Sequence, residues 1–471
     1  MICVYDIETY PNIFTFVFKD IKNGKFFKFE ISSRKNQLQE LILFLKTKNL
    51  KLIGYNNVYF DYPILHFILT ERIINLKRLY NFVQNKVIGS EFPNVPEWKI
   101  KIPQCDLYKI NHYDNANRRT SLKWLEFSLR WHKLQDLPFK PGTIIPEDQF
   151  DYLIEYNIND VEFTHEFFKK CTSAIEFRQE MSKLLNKNVM NYSDVKIGEH
   201  LNKITYQKLS GLEYKDFKNL RSKRNLIKVE DLIPDFVKFR TPIGQVFLDE
   251  IKTKSFRLED EFERHISLGD LHVKFAKGGL HSKDTPKVFK CKKGYKLKEK
   301  DVGSMYPRSI IAGKFYPEHL GESWYEGIKL LYDERTNELK PAMKELEYGS
   351  KEYKFLDSKQ EAYKLAMNGG GYGKTGLEYS WQYDPLVMYK VTFKGQLALL
   401  MLLEDYYLLS KDIDLISANT DGIVIHYPKE LESEIQRVHT EWEKTTKYML
   451  EDTSYKPVSY THLTLPTNRE V

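Results

Sequence analysis

Asp6 and Glu8, in VYDIETY, are carboxylates separated by a single residue. In a strand, where side chains alternate, they project from one face and can grip a divalent cation from two sides. Taken alone, D-x-E reads equally well as an ordinary strand-to-turn transition. Further polar residues follow in order. NNVYFDYPIL supplies Asn57, Phe60 and Asp61 at the start of an apolar helix, and IEYNINDVEFT places Tyr156 and Asp160 one turn apart on a helix face. Asp6, Glu8, Asp61 and Asp160 could bind two metals and clamp a phosphodiester between them. Hydroxide would form at one metal and the leaving 3′ oxygen would be stabilised at the other. The Tyr156 hydroxyl could orient the water or the phosphate.

A second acidic pair is split between Asp301, in DVGSMYPRSII, and Asp421, in SANTDGIVIHY. Leu415–Ser417 and Ile423–Tyr427 read as strands around a turn at Asn419–Gly422. Between the two acids, Ser358–Met367 reads as a helix that places Lys364 and Asn368 one turn apart, before the glycine run of KLAMNGGGYGKTG. A phosphate loop ending at Lys374 and Thr375 fails, because the glycine spacing is wrong and no strand immediately precedes it. In VKFAKGGLHSKD, Gly278 and Gly279 permit close backbone approach to a ligand or a positive φ; a tight turn before a hairpin is the plainer alternative. KVFKCKKGYKLKEKD reads as a hairpin turning at Lys293-Gly294, with lysines on its open face and Asp301 at the end of its second strand.

The elements that must hold the first cluster are strands over Ile2–Tyr5, Ile13–Phe18, Lys25–Phe29 and Leu52–Tyr55, with a helix over Leu38–Lys48. In RRTSLKWLEFSL, Arg118, Arg119 and Lys123 beside Trp124 could touch a nucleic-acid backbone; a solvated helix start with Trp124 in the core reads as well. FTHEFFKKCTSAIEFRQEMSKLL reads as one helix and EHLNKITYQKLSG as another ending at Gly211. The 471 residues, 42% of them hydrophobic, allow two or three packed domains. A net charge of +7 permits a nucleic-acid partner without requiring one. Cys3, Cys105, Cys171 and Cys291 lack metal-ligand spacing and read as reduced, mostly buried thiols. No signal peptide is evident, and no apolar run is expected to reach membrane-spanning length.

The first third resembles the DEDDy class of 3′–5′ exonucleases in the form carried by family B DNA polymerases, through Asp6, Glu8, Asn57, Phe60, Asp61, Tyr156 and Asp160. The rest resembles the polymerase half of that family. DVGSMYP is similar to its motif A, KLAMNGGGYG to motif B with one extra glycine, and SANTDG to motif C, with Asn419 and Gly422 in place of the usual aspartate and serine. The double-glycine segment is similar to a template-contacting loop, with Ala276 where an aromatic usually stands.

The resemblance implies an α/β and α+β multidomain protein. An RNase H-like exonuclease domain (1–165) would lead through a helical connector and start of palm (166–265) to palm with motif A (266–330). Fingers with motif B (331–375) and palm with motif C (376–457) would follow, then a non-native tail (458–471), with the thumb missing. It implies magnesium or manganese, two ions per active site, held by Asp6, Glu8, Asp61 and Asp160 and by Asp301 and Asp421. Ser304, Met305, Tyr306, Lys364, Asn368 and Tyr372 would meet the nucleotide. Asn57, Phe60, Lys123, Gly278, Gly279 and Gly373 would meet DNA. The implied activity is template-directed DNA synthesis with proofreading, by a monomer acting on primer–template DNA and deoxynucleoside triphosphates, without a membrane. A terminal protein or processivity factor stays open. The expected setting is the cytoplasm of a phage-infected or prophage-bearing cell. A 3′–5′ exonuclease with a degenerate palm serving as a DNA-binding platform, or a non-enzymatic replication module, are the alternatives.

Overall fold

The computed structural model describes residues 1–90, 95–283 and 289–454; the expected tail at 458–471 lies outside them. The chain divides into two compact units, Met1–Ile197 and Gly198–Val471. The first therefore runs past 165.

The first unit is built on β1 (Ile2–Tyr10), β2 (Ile13–Asp20), β3 (Phe26–Ser32), β4 (Lys51–Gly54) and β5 (Gln104–Asp106), in the order β3-β2-β1-β4-β5. The β1–β2 and β2–β3 pairs are antiparallel; β1–β4 and β4–β5 are parallel. Its helices are α1 (Leu38–Leu45), α2 (Asp61–Thr70), α3 (Leu76–Phe82), α4 (Leu107–Ile110), α5 (Leu122–Ser128), α6 (Phe150–Lys170), α7 (Thr172–Leu184) and the start of α8 (Asp194–Ser210). Alternation along β1 sorts the layers. Cys3, Tyr5 and Ile7 enter one core with residues of α1, α2 and α3, while Val4 joins Val161, Phe163 and Phe167 of α6 in another. Asp6 and Glu8 share the parity of Val4, so β1 presents them towards α6.

The expected single helix over 163–185 is two helices, broken at Cys171, where no glycine or proline signals it. Packing explains the break. Cys171 is buried, and Arg178 of α7, 1% exposed, donates to the Tyr192 and Ile110 carbonyls and to Asp194.

The second unit contains α9 (Tyr214–Phe217), β6 (Ile227–Lys228), α10 (Pro242–Lys252), β7 (Ser255–Phe256), β8 (Glu263–Leu268), β9 (Leu271–Ala276), β10 (Leu280–Ser282) and β11 (Tyr295–Val302). Then come α11 (Met305–Gly313), α12 (Glu322–Asp333), α13 (Lys340–Lys344), α14 (Lys351–Met367), α15 (Pro385–Leu409), β12 (Asp414–Asn419), β13 (Gly422–Pro428), α16 (Glu432–Thr446) and β14 (Leu450–Ser454). Its main sheet is antiparallel, in the order β14-β11-β13-β12-β10-β9-β8.

Several expectations change here. α15 has the length and hydropathy to cross a bilayer, contrary to the reading of the sequence; it is 25 residues long, and its most apolar 18-residue stretch has a mean hydropathy of 1.4. It is instead a core helix, 78% buried over that apolar window, with Phe393, Leu397, Leu400 and Leu403 in the sheet's core. The first arm of the hairpin expected before Asp301 begins among residues outside those described, and 289–292 hold no strand. Gly294 does turn the chain, at φ 85°. The lysines of β11 are not all on an open face: Lys300 is 1% exposed and its ammonium lies 2.5 Å from Asp452. The segment after α16, read as a turn, is edge strand β14. Among the cysteines, Cys3 and Cys171 are buried, whereas Cys291 is exposed.

Candidate active sites

In the first unit, ligand oxygens of Asp6, Glu8 and Asp160 all lie within 4.8 Å of one another. β1 contributes two of them and α6 the third. Burial, then the Asp160 charge, pushes the Asp6 carboxyl up to about 7. Burial and the neighbouring carboxylates raise Glu8 as well, and burial raises Asp160. Asn157, one turn before its neighbour on α6, donates Nδ2 to Asp6 at 2.5 Å. Lys123 of α5 brings its ammonium to 2.5 Å from Asp160 and 3.1 Å from Glu126. Burial works against that charge, but Asp160 and Glu126 hold its pKa above the ordinary lysine value. The same ammonium lies 4.5 Å from the centre of the Tyr156 ring.

A group of three carboxylates, Asp160 buried and Asp6 and Glu8 partly buried, facing one ammonium suits a hard divalent cation, since oxygen donors and uncompensated negative charge are what such an ion needs. The donor set can therefore coordinate a divalent metal.

Asp61 falls outside that 4.8 Å group, although the Asp6 charge raises its pKa and its own charge raises that of Glu8. β4 pairs β1 only from Ile2 to Val4, which leaves the Ile7 amide beyond the end of β4, and Asp61 Oδ1 accepts from it at 3.0 Å. Asn57, expected at DNA, is fully buried and donates Nδ2 to Gln104 Oε1 at 2.9 Å. It joins the turn before α2 to β5 and, through the Tyr5 hydroxyl, to β1. Phe60 caps α2 and packs on the core beneath it. Lys123 is tied into the carboxylates rather than offered to a DNA backbone, and Trp124 is 60% exposed rather than in the core.

In the second unit, Asp301 is the penultimate residue of β11 and is paired with Gly422, and Asp421 occupies the β12–β13 turn beside it. The Val302 amide donates to the Asp421 carbonyl at 2.8 Å. Burial, then Asp421, pushes the Asp301 carboxyl up to about 6; burial also raises Asp421. Glu299 and Glu451 add to the charge around Asp301. A β-carbon on Gly422 would stand 3.2 Å from Asp301 Oδ1, so a serine there would crowd the carboxylate. Two converging carboxylates with unbalanced charge also fit a hard cation.

Ser304 turns the chain from β11 into α11 at φ 54°, a left-handed conformation uncommon outside glycine. It aims Tyr306 at Tyr372: the rings stack with centroids 4.4 Å apart and planes 22° from parallel. Burial, then Asp421, raises the Tyr306 hydroxyl pKa. Met305, expected at the nucleotide, is instead buried in the core under Gly395. Lys364 is half-exposed, 3.7 Å from Glu361. Asn368 ends α14, and its carbonyl accepts from the Gly373 amide at 2.8 Å.

The glycine run has a steric cause. A β-carbon on Gly370 would lie 2.3 Å from the Glu199 amide nitrogen, and one on Gly198 would lie 2.5 Å from the Leu365 carbonyl carbon. α8 thus lies directly against the end of α14. Lys374 is buried and bound to Glu199 at 2.9 Å, which disposes of a phosphate loop there.

Gly278 and Gly279 join β9 to β10 without positive φ. β10, just after them, pairs with the acidic hairpin: the Thr420 amide donates to the Leu280 carbonyl at 2.7 Å, and His281 Nδ1 lies 2.8 Å from Asn419 Oδ1.

The sequence missed Asn157, Glu299, Glu451, His281, Arg335 and Lys340. Arg335 lies in a π-helical turn, Glu334–Leu339, an uncommon feature that often marks functional positions. Burial, then the charges of Arg335 and Lys364, lowers the Lys340 pKa, so these three cations share one neighbourhood. Only the i, i−3 spacing of Asn157 from Asp160 was legible.

No family model and no curated protein matches the chain. Among solved structures, one similar to it is the family B DNA polymerase from the hyperthermophilic archaeon Pyrobaculum calidifontis, at a TM-score of 0.53 and 16% identity. The match covers 96% of this chain and 56% of that one, so this chain spans little more than half the length of that polymerase. The mixed α/β, multi-unit architecture is that of a DNA-polymerase-like fold.

Proposed function

We propose that this chain is a DNA-directed DNA polymerase with a 3′–5′ exonuclease, the first unit editing and the second synthesising. The observation that carries the reading is that each unit gathers its own carboxylate cluster from distant segments: Asp6 and Glu8 with Asp160, and Asp301 with Asp421. The β3-β2-β1-β4-β5 sheet supports an RNase H-like nuclease. The antiparallel sheet bearing Asp301 and Asp421 supports a palm, and α12 to α14 are its fingers.

Asp6, Glu8 and Asp160 would hold metal in the first unit, with Asp61 as a further candidate; Asp301 and Asp421 would hold it in the second. A divalent cation there supplies the charge that makes hydroxide or alkoxide available and neutralises the departing oxygen. The chain's own groups do the rest. Asn157 fixes the orientation of Asp6. Lys123 balances Asp160, and the Tyr156 hydroxyl beside it positions the attacking water. In the second unit the Tyr306–Tyr372 stack forms a wall against which a deoxyribose can lie and a 2′ hydroxyl would clash. Lys364, Lys340 and Arg335 supply positive charge for a triphosphate.

The test is a crossed pair of variants on a labelled primer–template with magnesium. Asp6→Ala with Glu8→Ala should stop shortening and leave extension. Asp421→Asn should stop extension and leave shortening of single strands. Extension surviving in Asp421→Asn would refute the polymerase assignment.

A further inference from the structure

At the C-terminal end of α11, roughly 12 Å along the helix from Met305, a cavity of about 310 Å³ opens against the start of α15. Three cations line it, Arg224, Lys314 and Lys390. Arg224 donates to Glu318 at 2.5 Å, and its Nε lies 3.6 Å from Asp384. Asp384 also accepts from the Leu386 amide, as the cap of α15, and from the Glu318 amide. Both acids on the wall are therefore committed, whereas no ion pair to Lys314 or Lys390 is present among the described residues. Phe315 and Tyr316 add rings to the wall, and Leu386 and Val387 an apolar face. The Phe315 ring has an ammonium from each of two lysines one turn apart on α15. Lys390 lies 5.8 Å from its centre and Lys394 5.9 Å. Lys394 is 3% exposed, its other near neighbours are the rings of Phe236 and Tyr448, and no ion pair to it is present among the described residues. It stays protonated at neutral pH, since burial brings its pKa down only to about 8. A buried ammonium without a counter-charge is costly, and an anion brought against the Phe315 wall would offset that cost.

We propose that this cavity binds a phosphate-bearing aromatic small molecule, a nucleoside monophosphate being the smallest case. Its phosphate would lie between Lys314 and Lys390, in the field of Lys394, and its ring against the Phe315–Tyr316 wall. Charge and size set the class. Two unpaired lysines at the wall and a third behind it call for an oxyanion carrying close to two charges, as a phosphate monoester does. The volume falls at the lower end of small-molecule sites, which run from roughly 300 to 1,000 Å³, and is more than a bare phosphate fills. An apolar ligand would leave the lysines unused, and an inorganic ion would leave the rings and the apolar face bare. The cavity shares no residue with the Asp301–Asp421 pair or with Arg335, Lys340 and Lys364, so the inference does not rest on what those groups do.

The experiment uses the full chain in EDTA, with dAMP, inorganic phosphate and deoxyadenosine as probes, read by calorimetric titration and by melting temperature. dAMP should bind saturably and raise the melting temperature, phosphate should bind more weakly, and deoxyadenosine should do neither. Lys390→Met with Lys394→Met should weaken dAMP binding on the order of 10- to 100-fold, the loss expected for charge-assisted contacts. Lys314→Gly should weaken it as well, and it puts glycine at a left-handed position, φ 47°, so the fold is not at risk. Lys394→Met alone should melt higher than the parent without ligand, and saturating dAMP should narrow that gap, a change that a merely structural lysine would not produce. Absence of a saturable dAMP response in the parent overturns the proposal, as does dAMP binding unchanged in the double lysine variant. Phosphate binding as tight as that of dAMP overturns the part given to the rings. Lys364→Ala should bind dAMP as the parent does. Loss of binding there, with binding intact in the double lysine variant, would place the phosphate beside Lys340 and Arg335 and overturn the cavity as its site.

Discussion

Lys394 sits in the middle of α15, 3% exposed, and no ion pair to it is present among the described residues. Its ammonium lies 5.6 Å from the ring centre of Tyr448 and 5.9 Å from those of Phe236 and Phe315. Burial lowers its pKa from 10.5 to about 8. At about 1.4 kcal/mol per pKa unit, that shift corresponds to roughly 3 kcal/mol of cost for keeping the charge inside at neutral pH. The three rings return part of it, but they stand near the outer limit of cation–π range, so about 1 kcal/mol in total is a reasonable offset. Lys394→Met, nearly the same volume without the charge, should therefore stabilise the second unit at pH 7 by about 2 kcal/mol, a rise in melting temperature on the order of 4–8 °C. The pH dependence has a definite sign. Below about 8 both states carry the proton and the cost is complete; between about 8 and 10.5 the unfolded chain holds more protons than the folded one, and parental stability rises with pH. The gap between the Lys394→Met variant and the parent must then narrow across that window. Melting curves of both proteins from pH 7 to 10.5 measure it, with Lys390→Met, one turn earlier and not buried, as the control. A gap of zero at pH 7, or one that does not change with pH, would refute the account of Lys394 as an uncompensated buried charge.

The acidic trio makes a related prediction. The raised Asp6 carboxyl means that metal-free stability falls as pH climbs from about 4 to 7, so magnesium at pH 8 should raise the melting temperature of the parent by more than that of Asp6→Asn with Glu8→Gln, in which only the Asp301–Asp421 pair is left intact, as a thermal shift titration would show. Gly370→Ala should destabilise the second unit by about 1–3 kcal/mol, since the new β-carbon meets the α8 backbone, whereas Gly278→Ala, with nothing within 4 Å, should be neutral; denaturant melts distinguish them, and equal effects would count against the close approach. Asn419→Asp keeps both hydrogen bonds to Oδ1, from His281 and Thr420, and adds negative charge beside Asp421. It should lower the magnesium concentration needed for half-maximal extension, and an unchanged requirement would show that Asn419 lies outside the field of the metal site.

The elements carrying the first cluster were legible because its segments obey simple periods. Side chains alternate along β1, and α6 repeats every turn, so Asp6 and Glu8 on one strand face and Tyr156 with Asp160 on one helix face follow from spacing, while the pairing of the two faces came from the resemblance. What spacing cannot give is how far a neighbouring strand extends. β4 stops short along β1, and that fact puts Asp61 on the Ile7 amide and out of the trio. Local pattern likewise cannot see tertiary demand. The break at Cys171 is set by Arg178, and the apolar run of α15 looks like a membrane span until the core around it is present. Asn57 is a third case: a polar residue beside an acid suggests a ligand contact, yet its partners are Gln104 and Tyr5, more than forty positions away.

Two of the departures from the motifs that the second cluster resembles, Asn419 for an aspartate and the extra glycine, have local physical counterparts. His281, from β10, meets Asn419 Oδ1, and Thr420 Oγ1 donates to the same oxygen, so the side-chain oxygen is occupied by the strand paired with β12 and by the hairpin's own turn. With Nδ1 of His281 as the donor, the imidazole needs only an acceptor at position 419, and a neutral amide meets that need without adding charge to a region already crowded by Asp301, Asp421, Glu299 and Glu451. The glycines answer a different demand, close passage of α8 across the end of α14. Neither change removes a carboxylate from the Asp301–Asp421 pair or breaks the Tyr306–Tyr372 stack. Divergence here alters how the loop and the helix end are packed, while the groups on which the proposed chemistry depends keep their places.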